Sequence, residues 1–156
     1  MKSSHYLILA VVIIVVGVAI YFNMREPRSI PQPLSTEITY VGENAENMIR
    51  VTSPAPGALI TSPLTITGEA RGGWYFEASF PIYLTNWDGK IIAEGFATAQ
   101  GDWKTEEFVP FTAILTFEDP SYEQEYSHRG SLILHNANAS GDSIRDKALE
   151  FNVRFR

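Results

Sequence analysis

The run from Gly73 to Leu84 constrains the fold most, because its even-numbered and odd-numbered residues form two sets of different polarity. A β-strand points successive side chains to opposite faces of its sheet. One set is apolar and the other is mixed, so the run predicts a central strand with one face in a core. The predicted inward set is Trp74, Phe76, Ala78, Phe80, Ile82 and Leu84. The predicted outward set is Tyr75, Glu77, Ser79, Pro81, Tyr83 and Thr85.

Further alternating runs, separated by turn residues, continue from Met48 to the C-terminus. This pattern is typical of a β-sandwich rather than of βαβ units. Asp88-Gly89 predicts a hairpin into residues 91–99, since glycine accepts a positive φ. Two runs with clear inward faces are Leu64, Ile66, Gly68 and Ala70, and Leu149, Phe151, Val153 and Phe155. Residues 48–156 are therefore predicted to form one all-β sandwich domain.

Residues 6–22 contain no charged residue and no proline. As a helix these residues would span roughly 25 Å, with Tyr6 and Tyr21 at the two membrane interfaces. We predict a transmembrane signal anchor in contact with the lipid bilayer, with residues 1–5 as a short cytoplasmic N-terminus. The C-terminal domain would then lie outside the cytoplasmic membrane. The alternative is secretion after cleavage near Gly17-Val18-Ala19, although apolar residues continue to Phe22.

Residues 23–47 carry three prolines and then several glutamates, a composition that buries little apolar surface. They are predicted to form a flexible stalk between the anchor and the domain. The alternative for residues 38–41 is a short strand added to the sheet.

Charge and cysteine content exclude several functions. The net charge is −6 and no basic stripe is present, so nucleic acid is not an expected partner. The chain has no cysteine, which excludes disulfides, thiol catalysis, thiolate metal sites and a lipidated cysteine.

Residue constellations for catalysis are weak. His128 and His135 lie seven apart, which matches no helical metal pair, and they are interpreted as surface histidines. Ser140 lacks the Gly-x-Ser-x-Gly context of a nucleophile and is interpreted as a turn residue. A group of loop carboxylates lacks the calcium-loop pattern: Asp119, Glu123 and Glu125. No catalytic residue, metal site or cofactor is predicted, and the protein is not expected to be an enzyme.

The residues of the run from Gly73 to Leu84 that are predicted to point outward suggest an interaction face. It would be formed by Tyr75, Glu77 and Tyr83, because aromatic side chains with a polar group are efficient contact residues. Glu77 has two alternatives: a solvated carboxylate, or an acceptor of hydrogen bonds from Arg71 or loop amides that fixes the turn at Gly72-Gly73. Trp87 is a candidate for glycan stacking, with packing in its hairpin as the alternative.

Several motifs resemble the bacterial spore-germination immunoglobulin-like domain family, in family order from Ile49 to Phe155. They are Ile49-Arg50-Val51-Thr52-Ser53-Pro54, Ser62-Pro63-Leu64, Gly68-Glu69-Ala70, Trp74-Tyr75-Phe76-Glu77-Ala78-Ser79-Phe80-Pro81, Asp88-Gly89, Gly101-Asp102-Trp103, Phe108-Val109-Pro110-Phe111 and Asn138-Ala139-Ser140-Gly141. The resemblance implies an immunoglobulin-like sandwich placed outside the cytoplasm, and it carries over no catalytic residue.

Together these features predict a non-catalytic binding or assembly module, tethered to the cytoplasmic membrane and engaging an envelope protein. The alternative is a module that binds cell-wall glycan, either peptidoglycan or polysaccharide.

Overall fold

The computed structural model describes residues 35–156, and the regular structure of that part consists of nine β-strands and four 3-10 helices. The strands are β1 (Ile38–Val41), β2 (Ile49–Ser53), β3 (Leu59–Ile60), β4 (Leu64–Arg71), β5 (Ser79–Asn86), β6 (Ile91–Ala99), β7 (Phe108–Leu115), β8 (Arg129–His135) and β9 (Ala148–Phe155). The 3-10 helices are Ala45–Asn47, Gly72–Trp74, Glu125–His128 and Ser143–Arg145.

The strands form one curled sheet in the order β1-β9-β8-β5-β6-β7-β4-β2, with β3 paired to the end of β9. All pairs are antiparallel except that between β3 and β9. Strands β6 and β7 share only two residue pairs, Thr98 with Thr112 and Ala99 with Phe111. The sheet folds over at this corner, so the rings of Phe80 in β5 and Phe111 in β7 meet with centroids 5.0 Å apart. The predicted all-β class is confirmed, and the two halves of one sheet enclose its core.

The core follows the predicted alternation in most strands. The apolar residues of β4 and β9 that were predicted to point inward are buried, as are those of β5 from Phe80 onward. Strand β5 pairs with both β6 and β8, so its predicted central position is confirmed. The hairpin predicted from Asp88-Gly89 is present, with Gly89 at a φ of 77°.

One edge of β9 is covered along its length by two short strands. Strand β1 pairs with Ala148 to Phe151, and β3 pairs with Arg154 and Phe155. Between them, the amide of Gly57 donates to the carbonyl oxygen of Asn152 at 2.7 Å. The alternative of an added strand at Ile38–Val41 is thus confirmed, and this strand closes an edge that would otherwise be open to pairing.

The predicted transmembrane helix at residues 6–22, the N-terminus at 1–5 and the first part of the linker lie outside the described residues. Within residues 35–156, no helix combines the length and the hydropathy needed to cross a bilayer.

The predicted alternation is wrong at Tyr75 and Phe76, because the chain before Ser79 is not one extended strand, whereas Trp74 is buried and Glu77 exposed as predicted. Gly72–Trp74 is a 3-10 helix, and a two-residue turn follows. The amide of Phe76 donates to the carbonyl oxygen of Ser79 at 2.9 Å, and the amide of Ser79 donates back at 3.1 Å. The residues between them, Glu77 and Ala78, have φ values of 49° and 62°. Positive φ at both central residues is the geometry of a type I′ turn.

Because of this turn, the burial of the two aromatic residues before it is the opposite of that predicted. Phe76 was predicted to point inward but is 48% exposed, and Tyr75 was predicted to point outward but is only 4% exposed. Alternation assigns faces only in an extended backbone, which begins at β5.

An aromatic cluster as candidate binding surface

Tyr75 belongs to the core and cannot take part in a surface. Its ring lies 5.3 Å from that of Phe80, and its hydroxyl donates to the carbonyl oxygen of Val109 at 2.8 Å. Burial raises the pKa of Tyr75 to about 12, because the phenolate would be poorly solvated there. The prediction of an interaction face formed by Tyr75, Glu77 and Tyr83 is therefore wrong for Tyr75, which is buried.

The other two members of that face do not form a surface by themselves. Glu77 is exposed on the type I′ turn, whereas Tyr83 lies half-buried on β5, between Glu94 of β6 and Ile133 of β8. Arg71 does not donate to Glu77. Its guanidinium donates instead to the carbonyl oxygens of Asn47 at 2.9 Å and Glu106 at 2.6 Å.

Trp87 is presented by the hairpin between β5 and β6. The side-chain oxygen of Asn86 accepts the amides of Asp88 at 3.1 Å and Lys90 at 2.9 Å, and the amide of Gly89 donates to the carbonyl oxygen of Asn86. These bonds hold the backbone on both sides of Trp87. The indole side chain is consequently displayed from a well-defined turn and is 46% exposed.

Two tyrosines from the loop between β7 and β8 meet Trp87. The ring of Tyr126 lies 4.7 Å from that of Trp87, and the ring of Tyr122 lies 5.9 Å from that of Tyr126. Both pairs have steep interplanar angles, 69° and 87°, which is the preferred edge-to-face arrangement. The hydroxyl groups of the tyrosines are 3.2 Å apart. Trp87, Tyr122 and Tyr126 are called the aromatic cluster below.

A buried serine fixes the loop that carries the tyrosines. The side-chain oxygen of Ser127 accepts the amide of Tyr122 at 2.9 Å and lies 2.6 Å from the carbonyl oxygen of Gln124, to which it can donate. The amide of Ser127 donates to the same carbonyl at 2.9 Å. A ring nitrogen of His128 lies 3.1 Å from the carbonyl oxygen of Tyr122. The tyrosines are thus held in place although each remains 47% exposed.

A negative charge lies near the aromatic cluster. The hydrogen bond that the Tyr122 hydroxyl donates to Tyr126 is the main cause of a raised pKa at Tyr122, and the nearby charge of Asp88 acts in the same direction. A cavity of about 380 Å³ lies between the start of β6 and the loop after β7, and none of the three aromatic residues lines it. Its lining includes Lys90, Glu118 and Asp119.

The residues considered for catalysis have local structural roles. His135 contacts the carbonyl oxygen of Asn136 at 2.7 Å. Ser140 lies in a turn, as predicted, with its hydroxyl 2.6 Å from the side-chain oxygen of Asn138. Asp119 accepts the amide of Ser121 at 2.8 Å. Among residues 35–156, no group of three or more histidine and carboxylate side chains is arranged to hold a metal ion.

The three tryptophans occupy different environments. Trp74 is fully buried in the core, with no hydrogen-bond partner for its indole N–H, and Trp103 packs partly buried against the core. Trp87 alone among these three is about half exposed. The sequence pointed to Trp87, but the contribution of Tyr122 and Tyr126 was missed, and the signal that could have found them is two tyrosines four apart in an acidic loop.

The curled all-β sheet is consistent with a domain of the immunoglobulin-like type. The chain belongs to the family of the immunoglobulin-like domain of bacterial spore germination, whose sequence profile matches residues 48–129. Domains of this family are of a non-catalytic type, which indicates a binding module. No curated protein and no solved structure matches the chain.

Proposed function

We propose that this protein is a non-catalytic binding module of the bacterial envelope, with residues 6–22 as its membrane anchor and the aromatic cluster as its binding surface. The domain lies outside the cytoplasmic membrane and engages an envelope protein. The observation that carries the proposal is the contact between Trp87 and Tyr126, which joins two loops into one exposed aromatic surface.

The aromatic cluster is held rigidly by its two loops. Tryptophan and tyrosine supply large contact areas with few rotatable bonds, and they dominate the binding energy of many protein interfaces. Here the loop bonds made by Asn86 and Ser127 hold the rings before any partner arrives. A surface ordered in advance loses less conformational entropy on binding.

The test is crosslinking and affinity purification of the full-length protein from its native envelope. The double variant Trp87→Ala, Tyr126→Ala is compared with wild type and with Phe96→Ala. Phe96 is a matched control because it is also an exposed aromatic residue, 68% exposed, and lies on β6 outside the cluster. Loss of a specific envelope protein in the double variant alone supports the proposal. Retention of the same partners in a folded double variant contradicts it.

Cell-wall glycan is the second candidate ligand, and one observation favours it. Trp87 is 46% exposed and lies on the same hairpin as the exposed polar side chains of Asp88 and Lys90, and ligand sites combine aromatic side chains with a few polar groups. In that case the protein pellets with purified peptidoglycan or wall polysaccharide, and Trp87→Ala abolishes the pelleting. Failure to pellet at any salt concentration eliminates this candidate.

A further inference from the structure

The loops that carry the aromatic cluster are strongly acidic. Residues 86–90 and 116–128 contain five carboxylates, and Lys90 is the one lysine or arginine within them. All five are exposed, and three of them directly adjoin a ring residue in the chain: Asp88 follows Trp87, Glu123 follows Tyr122 and Glu125 precedes Tyr126. They are Asp88, Glu118, Asp119, Glu123 and Glu125.

The rings add a second attraction for positive charge. The face of an aromatic ring carries negative potential, and a lysine or arginine group placed over it is bound most strongly by tryptophan. The protein already uses this contact elsewhere. The guanidinium groups of Arg50 and Arg71 lie 4.2 and 4.3 Å from the centre of the Phe108 ring.

From the exposed rings and the carboxylates around them, we infer that the aromatic cluster binds a lysine- or arginine-rich segment of its protein partner, with a cationic side chain placed over an exposed ring. This inference rests on the proposed function, since it names the chemistry of the partner at the same surface. Carboxylates speed the encounter and orient the segment, while the rings supply the short-range contact. Binding is accordingly weakened by salt.

The test uses the full-length protein in detergent micelles and a fluorescent twelve-residue peptide with four lysines separated by glycine and serine. The comparison peptide is identical except that its lysines are acetylated, which removes their charge. Fluorescence anisotropy gives the dissociation constants. We expect the lysine peptide to bind and the acetylated peptide to bind at least about tenfold more weakly, and equal binding of the two would overturn the inference.

Two charge variants separate a local site from a general effect of net charge. The loop variant is Asp88→Asn, Glu123→Gln, Glu125→Gln. The matched control is Asp102→Asn, Glu106→Gln, Glu107→Gln, which removes the same charges from the exposed loop between β6 and β7. We expect the loop variant to bind the lysine peptide about tenfold more weakly than the control does. Equal weakening by both variants would overturn the inference.

A ring variant completes the test. Trp87→Ala is expected to weaken peptide binding about three- to tenfold, whereas Phe96→Ala leaves it unchanged. If the lysine peptide fails to bind while an envelope protein is still lost from the Trp87→Ala, Tyr126→Ala variant, the inference falls and the proposed function stands. If peptidoglycan binds through Trp87 and the peptide does not, the inference falls in favour of a glycan.

Discussion

Tyr75 provides a sharp test of the fold, because the alternation predicted it at the surface and the structure buries it. Replacing Tyr75 with Phe keeps the ring and removes the hydroxyl that donates to the carbonyl oxygen of Val109 at 2.8 Å. A buried hydrogen bond of this kind contributes about 0.5–1.5 kcal/mol, so we expect a loss of about 1 kcal/mol in the free energy of unfolding. Tyr75→Ala also removes the buried ring, and large-to-small core substitutions of this type cost about 3–5 kcal/mol.

The assay is urea unfolding of a chain that begins at Leu34, since Leu34–Arg156 forms one compact unit. Circular dichroism first establishes that this shorter chain is folded. At a slope of about 1–2 kcal/mol per molar urea, the loss for Tyr75→Phe lowers the midpoint by about 0.5–1 M. The matched control is Tyr83→Phe, on the outer face of β5, for which we expect a change within about 0.5 kcal/mol.

The raised pKa of Tyr75 gives a second measurement on the same protein. Absorbance at about 295 nm follows tyrosine ionisation, and the titration should contain a component with a pKa of about 12 that Tyr75→Phe removes. Because the folded-state pKa lies above the unfolded value, the native state holds this proton more tightly. Its contribution to stability is complete below about pH 10 and is lost as the pH rises toward 12. If Tyr75→Ala costs no more than Tyr83→Ala, and the late titration is absent, the burial of Tyr75 is refuted.

Three further changes test other parts of the structure. The double substitution Glu77→Asn, Ala78→Gly places residues suited to positive φ in the type I′ turn. It should raise the free energy of unfolding by about 1 kcal/mol, and a lower urea midpoint would argue against this turn. Ser127→Ala removes the buried hydroxyl that fixes the loop carrying Tyr122 and Tyr126. We expect the free energy of unfolding to fall by about 1–2 kcal/mol and partner binding to weaken, and unchanged thermal unfolding would contradict that role. If residues 6–22 are an uncleaved anchor, the protein stays with membranes in high salt and carbonate and has the mass of the full chain, whereas release without detergent contradicts the anchor.

The fold could be predicted from the sequence where the backbone is extended over many residues. In β4 and β9 apolar and polar residues alternate along the strand. A shift of the pairing by one residue would bury charged side chains, so only one register is favourable. The segment before β5 has the same alternating appearance, yet a turn at Glu77 and Ala78 interrupts it. Neither residue is glycine or asparagine, so the usual signal for such a turn is missing.

The candidate surface could be predicted only in part. Trp87 follows a strand and precedes Asp88-Gly89, which marks it as a hairpin residue that stays near solvent. Tyr122 and Tyr126 lie in a loop without periodicity, and their contact with Trp87 spans more than 30 residues of sequence. No local pattern encodes that contact, because it depends on the pairing of β5 with β8 that brings the two loops together.

Photo-crosslinking in the native envelope tests most directly whether the aromatic cluster is the binding surface. A photoreactive amino acid replaces Tyr122 in one version of the full-length protein and Phe96 in the other. Both positions are exposed aromatic residues, but Tyr122 lies in the loop between β7 and β8 and Phe96 lies on β6. We expect a discrete crosslinked protein from position 122, with a weaker yield when Asp88, Glu123 and Glu125 are neutralised, and no such product from position 96. The same crosslinked protein from both positions, or a product from position 96 alone, would contradict the assignment of the aromatic cluster as the binding surface.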